Sequence, residues 1–295
     1  MSFDNLPDLG PAFTPAGEAY SLWAIEESKK AAARVRVEFD IPFGGDEFQK
    51  LDLWLPRERS AKPLPVLIYV HGGGWTRGYK EWNGFMMERL ARIPAILVSP
   101  NHRLAPRVRY PGPLDDVIAA VAWVRRHIGA YGGDVGRISL GGHSSGGHLA
   151  ALAALRSDRL EAAGVPADFI KACFPLSAPL DLRLDRCAPG SMREKLIKAF
   201  LERDDQDREA SAQEHCMRAT TPMLLAWGSE DLPEVQAHGR SMVAAMEGNR
   251  NAVFEHRILA GGTHTGTHKR FLEPNDPYVE TLCAWLAAPP RTAMS

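Results

Sequence analysis

The chain has 295 residues, 45% of them apolar and 24% charged, with 22 prolines spread along it. That composition can bury a sizeable core and excludes disordered and collagen-like classes. Its 35 basic and 36 acidic residues leave a formal charge of -1, so no global field draws it to nucleic acid or to an anionic membrane surface, and a small neutral partner fits better.

At this length an α/β chain ordinarily forms one domain, and residues 1–295 are read as one. Residues 1–17, rich in Pro and Gly, read as an irregular arm followed by a helix over 18–33, so that 1–33 form an arm and a cap helix. The first 15 residues carry Asp and Pro in place of a basic run followed by an apolar one, which argues against a secretory signal. Every apolar run in the chain is interrupted before it reaches the length of a membrane span. The four cysteines, Cys173, Cys187, Cys216 and Cys283, have no paired spacing, which points to a reduced, cytoplasmic protein.

Apolar residues alternate over 34–41 and again over 51–55, predicting two half-buried edge strands joined as a hairpin across Gly44-Gly45. Beyond Pro65 the pattern changes to short continuous apolar runs at 66–70, 95–98, 138–140, 170–176, 223–227 and 253–259. Helical periodicity at 115–128 and 235–247 falls between them. This rhythm predicts an α/β fold with a mostly parallel central sheet, helices on both faces and a ligand site beyond the carboxyl ends of the strands. Residues 180–219 interrupt it with charged, helix-prone sequence and read as an insertion that caps the site together with the N-terminal arm.

Two motifs stand at predicted strand ends. Gly142-His143-Ser144-Ser145-Gly146 has the form of a nucleophile elbow, in which a sharp turn before a helix beginning near Gly147 lifts the Ser144 hydroxyl above the sheet. Glycines flank it because a Cβ there would strike the neighbouring strand and helix. His71-Gly72-Gly73-Gly74-Trp75 follows the strand at 66–70, and its bare peptides can present N–H groups to a developing oxyanion. Gly73 and Gly74 are the candidate donors, with the Ser145 N–H as the third.

These two motifs, with Arg103-Leu104-Ala105-Pro106, resemble the hormone-sensitive-lipase-like esterases, and residues 142–148 are similar to those of bacterial arylformamidases. The resemblance runs from Val66 to the C-terminal helix and implies the α/β-hydrolase fold and serine-dependent acyl transfer. The chain departs from the lipase-like branch at Asn101-His102, where that branch has Tyr before Arg-Leu-Ala, and at His143, where it has Asp. Both departures argue against a lipid ester.

A serine hydroxyl becomes a good nucleophile only when a histidine takes its proton, and that histidine needs a carboxylate to hold its tautomer. In this fold the chain order is serine, acid, histidine. The acid falls in Trp227-Gly228-Ser229-Glu230-Asp231, where the resemblance and its Gly-x-x-Asp spacing favour Asp231 over Glu230. The base falls in the loop at 261–268, where His264 is the choice and His268 the alternative. Their i, i+4 spacing is that of a zinc site, yet Gly266 and the threonines argue against a helix and the glutamate of H-E-x-x-H is missing, so neither metal nor cofactor is expected. His71, His143 and His148 read as packing or bracing groups, and Asp115 and Asp116 as a helix N-terminal turn. Trp75 and Trp82, with Phe13, Tyr20 and Trp23, are candidate walls of an apolar acyl or aryl pocket. The chemistry implied is hydrolysis of a small ester, with an amide or N-formyl aromatic amine as the alternative and an inactive ligand-binding protein third. A homodimer stays open.

Overall fold

The structure is a computed structural model describing Phe3 and residues 6–290. Eight strands, β1 (Arg36–Pro42), β2 (Lys50–Leu55), β3 (Leu64–Val70), β4 (Ile96–Pro100), β5 (Gly133–His143), β6 (Ile170–Leu176), β7 (Met223–Glu230) and β8 (Phe254–Thr263), form one sheet. Their order is β1-β2-β4-β3-β5-β6-β7-β8. Only β2 runs against its neighbours; β3 to β8 pair in parallel. The continuous apolar runs have a simple cause in β3: Val66, Ile68 and Val70 enter the core on one face, Leu67 and Tyr69 on the other. A strand covered on both faces leaves little room for a polar side chain.

Nine helices cover it: α1 (Pro15–Ala32), α2 (Met87–Leu90), α3 (Gly112–His127), α4 (Ser145–Leu155), α5 (Ser157–Ala162), α6 (Met192–Phe200), α7 (Pro233–Glu247), α8 (His264–Lys269) and α9 (Pro277–Ala287) among the described residues. Leu114, Leu149 and Met242 place α3, α4 and α7 in one core, which Leu182, Ile197 and Phe200 from residues 180–219 also enter. Tyr20, Val279 and Leu282 place α1 and α9 in the other. α1 starts at Pro15, ahead of the predicted Glu18, because the Thr14 hydroxyl accepts the Gly17 N–H at 3.1 Å and proline suits the first helical position. No helix among the described residues is long and apolar enough to cross a membrane.

The second edge strand is a correction. β2 lies between β1 and β4 and is buried from Leu51 to Leu55, Asp52 included. Burial pushes the Asp52 carboxyl up to about 7, opposed by Lys80, whose Nζ stands 2.7 Å from it and also reaches Glu81 at 2.6 Å and Asp40 at 3.0 Å. Asp116 likewise does more than favour a helix dipole. Fully buried, it accepts from the Arg103 backbone N–H at 2.7 Å, from the Arg103 guanidinium and from Gln49 Nε2, fixing the Arg-Leu-Ala-Pro segment.

Candidate active site

Strand register sets the site. Val70 pairs with Gly142 and His143 with Leu176, so the Gly-rich loop after β3 and the turn after β5 emerge side by side. In that turn Ser144 has φ 55 and ψ -127, a conformation costing on the order of 1–3 kcal/mol for a residue with a Cβ. It is held by Ser144 N–H to Leu176 O at 2.9 Å and His148 N–H to Ser144 O at 3.0 Å. The flanking glycines are required by space: a Cβ on Gly146 would lie 2.2 Å from Val70 O, and one on Gly142 would lie 2.5 Å from the Gly146 carbonyl. α4 begins at once, at Ser145 instead of near Gly147, and points its positive end toward the turn.

β7 pairs with β8 so that Glu230 faces Thr263, and the residues that follow each, Asp231 and His264, therefore meet. His264 Nδ1–H donates to Asp231 Oδ1 at 2.7 Å, and Ser144 Oγ–H donates to His264 Nε2 at 2.9 Å. Glu230 is exposed at the strand end, whereas Asp231 is buried. Burial pushes the Asp231 carboxyl up, but the hydrogen bond and charge of His264, then the hydrogen bonds from Ser177 and the Leu232 N–H, leave it below the usual carboxylate range. Ser177, at the end of β6, donates to Asp231 Oδ2 at 2.6 Å. No motif marks Ser177 in the sequence; only its place on the strand next to β7 brings it in.

The loop at 261–268 also needs correcting. His264 to Lys269 is a short helix, α8, capped by the Thr263 hydroxyl, which accepts the Gly266 N–H. His264 and His268 thus share a helix but diverge: His268 is fully buried, its Nδ1 accepting from Tyr20 O–H at 2.6 Å and its Nε2 facing Met86 Sδ. Among the described residues no three His, Cys, Asp or Glu side chains are arranged to hold a metal.

Gly72 abuts the serine, since a Cβ there would lie 3.1 Å from Ser144 Cβ. Gly73 and Gly74 follow with φ of 120 and 61, a backbone that non-glycine residues rarely adopt. Among the described residues no backbone hydrogen bond takes the N–H of Gly73, Gly74 or Ser145. His71 Nδ1–H donates to Gly72 O at 2.8 Å and its ring stacks on His102.

Trp75 and Trp82 do not present open faces beside Ser144. Trp75 is 3% exposed and stacked on Phe200, and its indole N–H donates to His148 Nδ1 at 3.1 Å. Trp82 is 7% exposed and lines a separate groove of about 420 Å³ with Leu6, Leu22 and Ile25. At Gly74 the neighbouring side chains are Phe13 of the arm, 3.1 Å from where a Cβ would stand, and Leu196 of α6, at 3.4 Å.

A sequence profile described as BD-FAE matches residues 51–241. Esterase LipC of Mycobacterium tuberculosis is 31% identical over 239 residues, covering 76% of this chain and 58% of its own. The isoprenylcysteine alpha-carbonyl methylesterase ICME of Arabidopsis thaliana is 33% identical over 151 residues, 50% of this chain and 35% of its own. The chain spans about half the length of the curated relatives it matches. Among solved structures, Esterase B of Lactobacillus rhamnosis superposes with a TM-score of 0.73 at 20% identity, over 92% of this chain and 95% of that one. A hyperthermophilic esterase of Pyrobaculum calidifontis gives 0.69 at 22%, over 91% of each. At such identities the structural likeness is one of fold, the α/β-hydrolase fold that the strand order displays. With its profile spanning well over half of the sequence, the chain belongs to the BD-FAE family, within the esterase branch of the α/β-hydrolases.

Proposed function

We propose that this protein is a serine esterase that hydrolyses a small carboxylic ester through an acyl-enzyme. The observation that carries the reading is the unbroken line from Ser144 Oγ through His264 to Asp231, at 2.9 and 2.7 Å. Along it, His264 Nε2 takes the serine proton as Ser144 Oγ attacks the acyl carbon, and Asp231 holds the imidazolium that forms. The N–H groups of Gly73, Gly74 and Ser145 receive the oxyanion, and α4 adds the field of its N-terminus. His264 then hands its proton to the departing alcohol. Water, deprotonated by the same imidazole, attacks the acyl carbon, and the acid leaves as Ser144 recovers its proton.

The relatives carry esterase names, which favours an ester over an N-formyl amide. The four cysteines are free thiols, and we assign the protein to a reducing compartment, the cytoplasm. A fluorophosphonate probe tests the reading directly, because only an activated serine reacts: labelling of Ser144 is expected, and its absence in folded protein would reduce the chain to a binding module. Ser144→Ala is expected to lower kcat roughly 10⁴-fold or more. A much larger kcat/KM for an N-formyl aromatic amine than for p-nitrophenyl acetate would move the substrate to the amide class.

A further inference from the structure

His143 takes no part in the chemistry above, yet its ring lies between those of His264 and His268. Its centroid is 5.1 Å from each, stacked at 9° on His268, which is itself stacked on Tyr69 at 5.3 Å. That column fixes the plane of the ring and aims its Nε2 at the His264 backbone carbonyl, 2.8 Å away.

The same carbonyl oxygen is contested. Thr267 Oγ1 lies 2.9 Å from it and 2.7 Å from Ser177 Oγ, and Ser177 Oγ lies 2.6 Å from Asp231 Oδ2. These are three contacts for two hydroxyl protons, since an ionised carboxylate supplies none. The ladder of α8, running from each N–H to the carbonyl four residues back, claims one lone pair of the His264 oxygen, and the His143 N–H claims the other. The Thr267 proton is then left for Ser177, whose own proton goes to the carboxylate. A chain of donors ending on an anion strengthens at each link.

We propose that His143 is a positioning residue: by occupying the His264 carbonyl, its Nε2–H turns the Thr267 hydroxyl toward Ser177 and so fixes the carboxylate that orients His264. Burial, then the neighbouring His264, pushes the His143 imidazole down to about 3, so at neutral pH the ring has a single proton, and the carbonyl draws it to Nε2. The role rests on the esterase reading and concerns the same site.

Two opposed substitutions separate the hydrogen bond from the packing. His143→Phe keeps a stacked ring and loses the donor; His143→Gln keeps an N–H near the Nε2 position and loses the ring. Assayed on p-nitrophenyl acetate, His143→Phe is expected to lower kcat roughly 10- to 100-fold with KM within about threefold, whereas His143→Gln stays within about threefold of the parent in both. Thr267→Val, which removes the first hydroxyl of the chain, is expected to reproduce the His143→Phe loss, so the outcome does not depend on the folding of one variant. In a Ser177→Ala background His143→Phe should cost no more than about twofold further, because the route it controls is gone. Full kcat in His143→Phe or Thr267→Val, Gln no better than Phe, or additive losses with Ser177→Ala would each overturn the proposal. Fluorophosphonate labelling of the parent keeps the two questions apart: labelled Ser144 with an indifferent His143→Phe sinks only the positioning role, and an unlabelled parent sinks the esterase.

Discussion

The carboxyl ends of β5, β7 and β8 and the cover above them, residues 6–14 and 180–219, are held by different means. In the first region backbone register does the placing: Val70 against Gly142, His143 against Leu176, Glu230 against Thr263. Glycines allow approaches that a Cβ would forbid. The cover hangs mostly on side chains, with a backbone tie, Tyr110 N–H to Phe200 O at 2.7 Å, beside the Tyr110–Leu201 bridge. Arg77 donates to Leu9 O at 2.7 Å, Tyr79 O–H to Pro7 O at 2.6 Å, and His148 Nε2–H to Ala210 O at 2.6 Å, while Trp75 stacks on Phe200. A sheet of many backbone bonds opens only with the whole fold, whereas segments with few backbone ties to it open more locally. On the proposed mechanism the reacting atoms belong to the first region and the second would wall a substrate, so the two should answer differently to substitution.

The largest expected effect lies in the sheet region. Asp231→Asn keeps the shape of the side chain but removes the charge that holds the His264 tautomer, and kcat should fall about 10³- to 10⁴-fold with KM within a few-fold. A loss under tenfold would move the acid elsewhere, with Glu230 one residue away as the rival, and would end the claim that the β7–β8 register places the acid.

A smaller effect is expected where the regions join. Burial pushes the His148 imidazole down to about 4, against its hydrogen bond to Ala210, which raises it; Nδ1 accepts from Trp75 and Nε2–H donates to Ala210. The sign follows from linkage. Below about pH 6.5 the unfolded chain takes up a proton that the folded state refuses, so stability falls as pH drops, by up to about 1.4 kcal/mol per pH unit, until the folded ring is itself protonated near pH 4. Buried His143 and His238, held down to about 3 and about 4, act in the same direction. Urea unfolding between pH 7 and 4 should show this decline, and His148→Gln should make it shallower by about one proton. An unchanged slope would mean that the tie to Ala210 does not depend on a neutral imidazole.

The same division explains what the sequence discloses. The elbow is readable because backbone demands its glycines, Gly142 by the Gly146 carbonyl four residues on and Gly146 by Val70 O at the end of a strand the sequence also marks, and the Gly-rich loop is readable because it follows that buried strand. Readings fail where the deciding partner is distant. Asp52 looks like the polar beat of an edge strand until Lys80 arrives to neutralise it. Ser177 carries no motif, and Trp75 resembles a pocket wall until His148 consumes its N–H. α8 was hidden for another reason: Gly266 reads as a breaker, yet in the first turn its N–H meets the Thr263 cap, so the residue serves the cap there instead of interrupting a helix interior.

The smallest effect is expected from the cover alone. Phe13 is 44% exposed and touches the Gly74 position beside Leu196, with the Arg77 guanidinium 5.0 Å from its ring. Removing it deletes apolar wall without disturbing any hydrogen bond to Ser144, His264 or Asp231. Phe13→Ala should therefore leave kcat for p-nitrophenyl acetate within about twofold. It should raise KM roughly 3- to 10-fold for the hexanoate, about 1 kcal/mol of uniform binding, with little change in unfolding free energy. An equal fall in kcat for both esters would show that the arm reaches into the reacting centre, and the separation between a sheet that does the chemistry and a cover that chooses the ester would fail.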